Sequence, residues 1–457
     1  MLDLIIKGRV VTPSGTLDDG WVGVAGQTIA EIGTGPCPSA TTVDDAGQAY
    51  ILPGIIDGQT HAGSQFGFRG LEATTRSAVA GGVTTIVDMP YDDPEPVASG
   101  PVLAQKIAAV EEHAYGDVAL YGTISPTLNT DDIHALIAGG VCAFKISSFE
   151  NHPTRFPRIG NDTTLDLLEL LAETDIPLGL HNEDQEIVRS RLARLTEAGR
   201  HHMRDHSPSR PEVAELVATA TFLELGAATG AHVHIVHIST PRGFELVRHY
   251  QARGVRATAE MCVHYLHFDA AEDADRLGAL MKVNPPIRDN VREQLWKEVG
   301  DTAVSLVSSD HSAWPLARKQ SASVHDNAAG IPGLETLLPA FFSGAEKRGL
   351  DAAAHCARHL SEGPAKLFGL WPRKGGLIPG GDADITVFAP EPWTFSTGDA
   401  LDGLGWSPFD GEPFSGRAVA TYVRGTKVWD GTKVIGAPGH GQFIPRAPGP
   451  HRSPVAG

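Results

Sequence analysis

Three histidines, a lysine and an aspartate share one local setting: His61, Lys145, His181, His237 and Asp310 each close a short apolar run. Imidazole nitrogens and carboxylate oxygens suit Zn2+ and similar divalent ions, and a metal held this way lowers the pKa of a bound water until it can act as a nucleophile. Lys145, in AFKISS, ends an apolar stretch where an isolated ammonium is costly to bury, so it calls for a partner or for chemistry. In ILPGIIDGQTH, strand alternation puts residues 57, 59 and 61 on one face and aims His61 the same way as Gln59. The chemistry these types support is metal-assisted hydrolysis, with Asp310 as ligand and as general acid/base.

Each residue alone has a plainer reading. A histidine can be a hydrogen-bonded core residue, and 20 histidines make coincidence easy. Lys145 by itself reads equally as a snorkelling or salt-bridged lysine. His232 and His234 read as structural, and His201, His202 and His206 as residues of a solvated face or loop. The joint occurrence at five run ends favours a site.

The elements that must carry these groups are eight short apolar segments: ILPGIIDGQTH, VTTIVDMP, VALYGTIS, VCAFKISS, PLGLHNED, HVHIVHIS, VRATAEMC and AVSLVSSDHS. Helix-like stretches separate most of them, which implies parallel strands joined by crossover helices. The expected fold is α/β, a (β/α)8 TIM barrel over residues 51–376, whose active site lies at the C-terminal ends of the strands. Short strand patterns also fill residues 1–50 and 377–435. Neither piece alone would bury its apolar face, so one β-sandwich built from both termini is expected. Residues 436–457, rich in Pro and Gly, read as an extended tail over the surface or against a neighbouring subunit.

Composition narrows the function. The 457 residues are 41% hydrophobic and 20% charged, ordinary for a globular enzyme. A formal charge of -18 opposes nucleic acid or anionic lipid as partner and leaves a small neutral or polar substrate. Cys37, Cys142, Cys262 and Cys356 are widely spaced with no CxxC, so reduced thiols are expected. The N-terminus MLDLIIKGRVV enters a strand pattern at once and shows no targeting segment, which fits a cytoplasmic protein.

From KGRVVTPSG and ILPGIIDGQTH through GGVTTIVDMP, FKISS, LHNED, HIVHIST, KVNPPIRD and SSDHS to GGDADITVF, the chain resembles the cyclic amidohydrolases, the family of allantoinase, hydantoinase or dihydropyrimidinase, and dihydroorotase. EMCVHYLHFD, NPPIRD, SRPEVAE and WSPFDGEPFSGR with GQFIPR look most like allantoinase. The resemblance implies that Lys145 is N6-carboxylated and bridges two Zn2+ ions, one also held by His181 and His237 and the other by His61 and Asp310. It further implies that His264 lies on the substrate side or behind the ligands, that Asn284 contacts substrate, and that the enzyme is a homotetramer.

Two departures stand out. The family pattern at the first strand is His-x-His, and here its first position is Gln59, whose amide oxygen is the weaker ligand; one ion or two are both open. Where dihydroorotases place an arginine two residues past the second histidine, this chain has Gly63, with Arg69 or Arg155 as possible substitutes from loops. The segment FENHPTRFPRIGND is expected to cover the substrate. The expected function is opening of a cyclic amide or ureide ring of allantoin, hydantoin or dihydropyrimidine type. The alternatives are a dihydroorotase- or imidase-type enzyme, or a non-enzymatic scaffold like the collapsin response mediator proteins, which share the fold and have lost metal ligands.

Overall fold

The computed structural model describes residues 1–301 and 303–448. Strands β1 (Leu2–Thr12), β2 (Gly15–Ala25), β3 (Thr28–Thr34) and β4 (Ala40–Pro53) lead directly into β5 (Ile55–His61). Then follow β6 (Val83–Asp88), β7 (Asp117–Gly122), β8 (Ala143–Ser147), β9 (Leu178–His181), β10 (Val233–Ile235), β11 (Ala257–Cys262) and β12 (Val304–Ser308). Each of β5 to β12 falls in or overlaps one of the eight apolar segments, and each of β5 to β11 pairs in parallel with its successor. Just past β12, β13 (His311–Ser312) pairs in parallel with β5, placing His311 opposite Thr60 and Ser312 opposite His61. This pairing closes the curled sheet into the barrel and brings the segment of Asp310 against that of His61.

Every crossover between consecutive barrel strands carries at least one helix. Their apolar faces, among them Leu103, Val110, Leu167, Leu171, Phe222 and Leu223, share one core with strand residues Ile86, Val118, Phe144, Leu178 and Val233. The turn after β9 shows how local chemistry sets the site. Asp184 accepts the Ile187 N–H at 2.9 Å and starts the helix Gln185–Glu197, so the strand must end just after His181.

The two ends of the chain form one seven-stranded sheet. It runs β18 (Thr426–Trp429), β17 (Arg417–Val423), β14 (Ile385–Ala389), β4, β1, β2, β3, parallel only between β1 and β4. A separate ribbon pairs β15 (Trp393–Thr394) with β16 (Pro413–Phe414). Ile6, Val10, Val22 and Ile51 from one end and Ile385, Val387 and Tyr422 from the other bury against each other. Lys374 joins sheet to barrel: its Nζ lies 2.7 Å from Asp117, the first residue of β7, and 2.5 Å from Asp384.

The tail is extended, and its described part packs on its own barrel. Val118 N–H donates to Gln442 and Ile444 N–H to Val118, each at 2.9 Å. Ile444 is buried with Ile56, Val87, Leu306 and Phe368, and Arg446 donates to the carbonyls of Cys142, Leu367 and Asp175. Residues 449–457 of the expected tail lie outside the described residues.

Candidate metal and substrate site

At the C-terminal ends of the strands a cavity of about 760 Å³ is lined by Gln59, His61, Lys145, His181, His237 and Asp310, so the six ligand candidates read from the sequence converge on one chamber. His181 Nδ1 and His237 Nε2 face each other at 2.9 Å. Asp310 Oδ1 lies 3.3 Å from His61 Nε2 and accepts the Gln59 amide N–H at 2.8 Å. Lys145 lines the same cavity, 1% exposed, with Nζ 6.0 Å from the Phe156 ring.

His237 and Asp310 do not close their strands; both lie two residues beyond, with φ of 41° and 50°. This left-handed backbone costs a side-chain-bearing residue on the order of 1–3 kcal/mol and persists only where surroundings impose it. For Asp310 the support is Asp57, whose carboxylate receives the Ser309 N–H at 2.7 Å and its hydroxyl at 2.6 Å. For His237 it includes Glu260, which accepts the His237 N–H at 3.3 Å.

The electrostatics separate the groups. Burial pulls the Lys145 ammonium below its ordinary pKa, against the opposing pull of Asp310 and Glu260. Burial also pushes Glu260 up to about 8. Asp310 is held well below the usual carboxylate range: burial works the other way, but the hydrogen bond to His61 and the pull of the neighbouring Lys145 help to outweigh it. Burial lowers His181 and His237, so both imidazoles are neutral near pH 7 and available as ligands.

This donor set fits a divalent cation. Two neutral imidazoles converge, a buried carboxylate and a buried amine adjoin them, and the Gln59 Oε1 and His237 Nδ1 atoms are buried without hydrogen-bond partners. On His181 the nitrogen turned away from His237 is braced as metal sites require: Nε2 lies 2.9 Å from Glu183, which Arg210 grips through two bonds of 2.8 and 2.6 Å. A second acidic group, Asp117, Asp382 and Asp384, also has ligand-like spacing. Its centre is taken by the Lys374 ammonium, within 3.0 Å of all three carboxylates, and Arg424 pairs with Asp117. That cluster is an internal ion network.

The other sequence-selected residues divide. Asn284 lines the cavity, and its buried Oδ1 has no partner. Arg155 lines it too, donating to the Ser64 carbonyl at 2.7 Å with Asp93 at 3.7 Å. Of the two places expected for His264, the structure favours the one behind the ligands over contact with substrate. It is fully buried outside the cavity lining, and burial pushes its ring down to about 4. Arg69 is exposed and absent from the lining. His206 also departs from its solvated reading: it is buried, with Nε2 2.8 Å from the Val283 carbonyl. His202 begins the turn Met203–Asp205, while His232 and His234 both hydrogen-bond Thr258.

The segment after β8 does form one wall, through Phe149, Glu150, Asn151, His152, Arg155 and Phe156. Phe156 stacks on Tyr91 with centroids 3.5 Å apart and presents its ring to His181 at 5.7 Å. Sequence reasoning missed Glu183, Arg210, Tyr91, Phe156 and Lys282. Glu183 stands two residues after His181 in LHNED; Arg210, Lys282 and Phe156 lie in SRPEVAE, KVNPPIRD and FENHPTRFPRIGND, and only the fold gathers these three at the cavity.

A model described as the amidohydrolase family matches residues 50–428. The chain is 35% identical to an allantoinase of Rubrobacter xylanophilus over 447 residues, 97% of each chain. It is 33% identical to an allantoinase of Deinococcus radiodurans, covering 98% of this chain and 99% of that one. Among solved structures it superposes on the L-hydantoinase (dihydropyrimidinase) from Arthrobacter aurescens with a TM-score of 0.92 at 28% identity, covering 98% of this chain and 100% of that one.

Proposed function

We propose that this chain, which belongs to the amidohydrolase family, hydrolyses a C–N bond in a cyclic amide or ureide ring of the allantoin, hydantoin or dihydropyrimidine type. The observation that carries this reading is the convergence of Gln59, His61, Lys145, His181, His237 and Asp310 from separate strand ends into one cavity. Likeness to allantoinases over nearly the whole chain puts allantoin first among substrates to test.

In this reading His181, His237 and a carboxylated Lys145 hold one Zn2+, and His61, Asp310 and more weakly Gln59 hold a second. Bound there, Zn2+ supplies Lewis acidity towards the ring carbonyl and towards water. Burial favours the free amine of Lys145, the form that reacts with carbon dioxide, and carboxylation turns a costly ammonium into a ligand. Asp310, kept ionised beside His61, takes the proton from water and returns it to the leaving ring nitrogen. Asn284 Oδ1 is free to accept a ring N–H, and the stacked Tyr91 and Phe156 rings shield the reacting end from water. We read Arg155 as a substrate contact from the covering loop.

The same reading makes the chain a cytoplasmic homotetramer without nucleic-acid or membrane partners. The acidic balance supports the exclusion of nucleic acid and anionic lipid, and the tetramer rests on the family resemblance alone. Sedimentation velocity tests the tetramer. A scaffold role is disfavoured because it gives no reason to bury these polar groups together, and dihydroorotase activity because Gly63 stands where that pattern places an arginine. The deciding experiment measures metal content and turnover on allantoin, hydantoins, dihydrouracil and cyclic imides. Ring opening with bound metal supports the proposal; a metal-free protein inactive on the whole panel refutes it.

A further inference from the structure

Arg288, in KVNPPIRD, is buried and absent from the cavity lining, yet it connects to the facing histidines through both of their supports. Its Nε donates to Ser239 Oγ at 2.9 Å, Nη2 to Glu215 at 2.9 Å and Nη1 to the Arg210 carbonyl at 3.0 Å. Ser239 lies two residues past His237, and Glu215 clamps it through its N–H at 2.9 Å and its hydroxyl at 2.5 Å. This grip fixes the chain just after the left-handed turn that aims the His237 ring. On the other side, Arg210 holds Glu183, and Glu183 lies 2.9 Å from His181 Nε2. Two arginines and two glutamates thus form a closed, charge-balanced brace, and SRPEVAE supplies Arg210 and Glu215.

We propose that Arg288 is a positioning residue that sets the approach of His181 to His237 and thereby the Zn2+ affinity of the pair. This rests on the reading of those histidines as metal ligands. Each guanidinium nitrogen is committed to a different acceptor: one on the His237 support, one on the glutamate that clamps it, one on the backbone of the residue supporting His181. A planar fork fixes three acceptors relative to one another, and a lysine ammonium cannot reproduce that plane. Loss of the fork lets the two imidazoles drift independently.

The test titrates Zn2+ into chelator-stripped protein in competition with a chromophoric chelator, at a temperature where circular dichroism shows each variant folded. Ser239→Ala and Arg288→Met should weaken the tighter Zn2+ site about 10- to 100-fold, the range for ligand-orienting partners. Arg288→Lys, which keeps the charge without the fork, should recover only part of that loss. Lys374→Met, which breaks the remote ion network, should lower the melting temperature and leave Zn2+ affinity unchanged. If His181→Ala loses tight Zn2+ while Ser239→Ala and the folded Arg288 variants bind as wild type, the positioning role is overturned. If His181→Ala also binds as wild type, the ligand reading itself fails. Should Arg288→Met not fold, Ser239→Ala decides.

Discussion

Replacing Asp310 by asparagine separates its chemical role from its structural one. Asparagine tolerates the left-handed backbone at this position about as well as aspartate, so φ of 50° adds little strain. Its amide oxygen can still accept the Gln59 N–H now received at 2.8 Å, and the volume is unchanged. What disappears is the negative charge opposite His61 and the ability to carry a proton. Loss of general acid/base catalysis should lower kcat by about 10² to 10⁴, which is about 2.7 to 5.4 kcal/mol of barrier at 1.36 kcal/mol per decade. The ion at Lys145, His181 and His237 should remain, because none of those groups is touched. Turnover, metal analysis and thermal melts on one preparation read the three quantities together. A fall of only a few-fold with normal metal content would show that Asp310 carries no proton, and loss of both ions would refute the proposed division of ligands.

Lys145→Ala should lose metal and activity, and added short carboxylic acids should restore part of the activity by supplying the missing carboxylate; full metal content at wild-type rate would disprove a bridging role. Gln59→His should raise bound Zn2+ towards two per chain after extensive dialysis, since imidazole is the stronger ligand; a wild type that retains two ions equally well removes the premise. Outside the cavity lining, burial pushes fully buried His359 down to about 3, so the fold holds it neutral while the unfolded chain takes up a proton below about 6.5. Stability should therefore fall as pH drops from about 6.5 towards 3, and in His359→Gln the slope of unfolding free energy against pH should lose up to one proton, about 1.4 kcal/mol per pH unit. Denaturant melts between pH 4 and 6.5 measure that slope, and identical slopes would show that His359 does not titrate as argued.

The barrel strands and most of the ligand candidates were legible because they rest on short-range patterns. An apolar run that ends in an ionisable group reports its own position, and parallel strands fix which end of the barrel holds that group. The pairing of the two chain ends followed from the same logic, since each carries an apolar face it cannot bury alone. Resemblance to a known family then gave individual side chains their expected roles.

Tertiary structure alone decided the rest. His237 and Asp310 leave their strands before they reach the site, and their left-handed backbones depend on contacts with Glu260 and, through Ser309, with Asp57. His206 shows the reverse limit: its helix-like spacing with His201 and His202 suggested a solvated face or loop, but packing buried it. The brace from Arg288 through Glu215, Arg210 and Glu183 joins residues separated by up to 105 positions, 288 minus 183, and local periodicity holds no trace of it. Periodicity reports which face of its own element a residue occupies, whereas a buried charge is stabilised by whichever partner the fold brings to it. The strands and their end groups were therefore set by local sequence, and the network that aligns those groups by the fold.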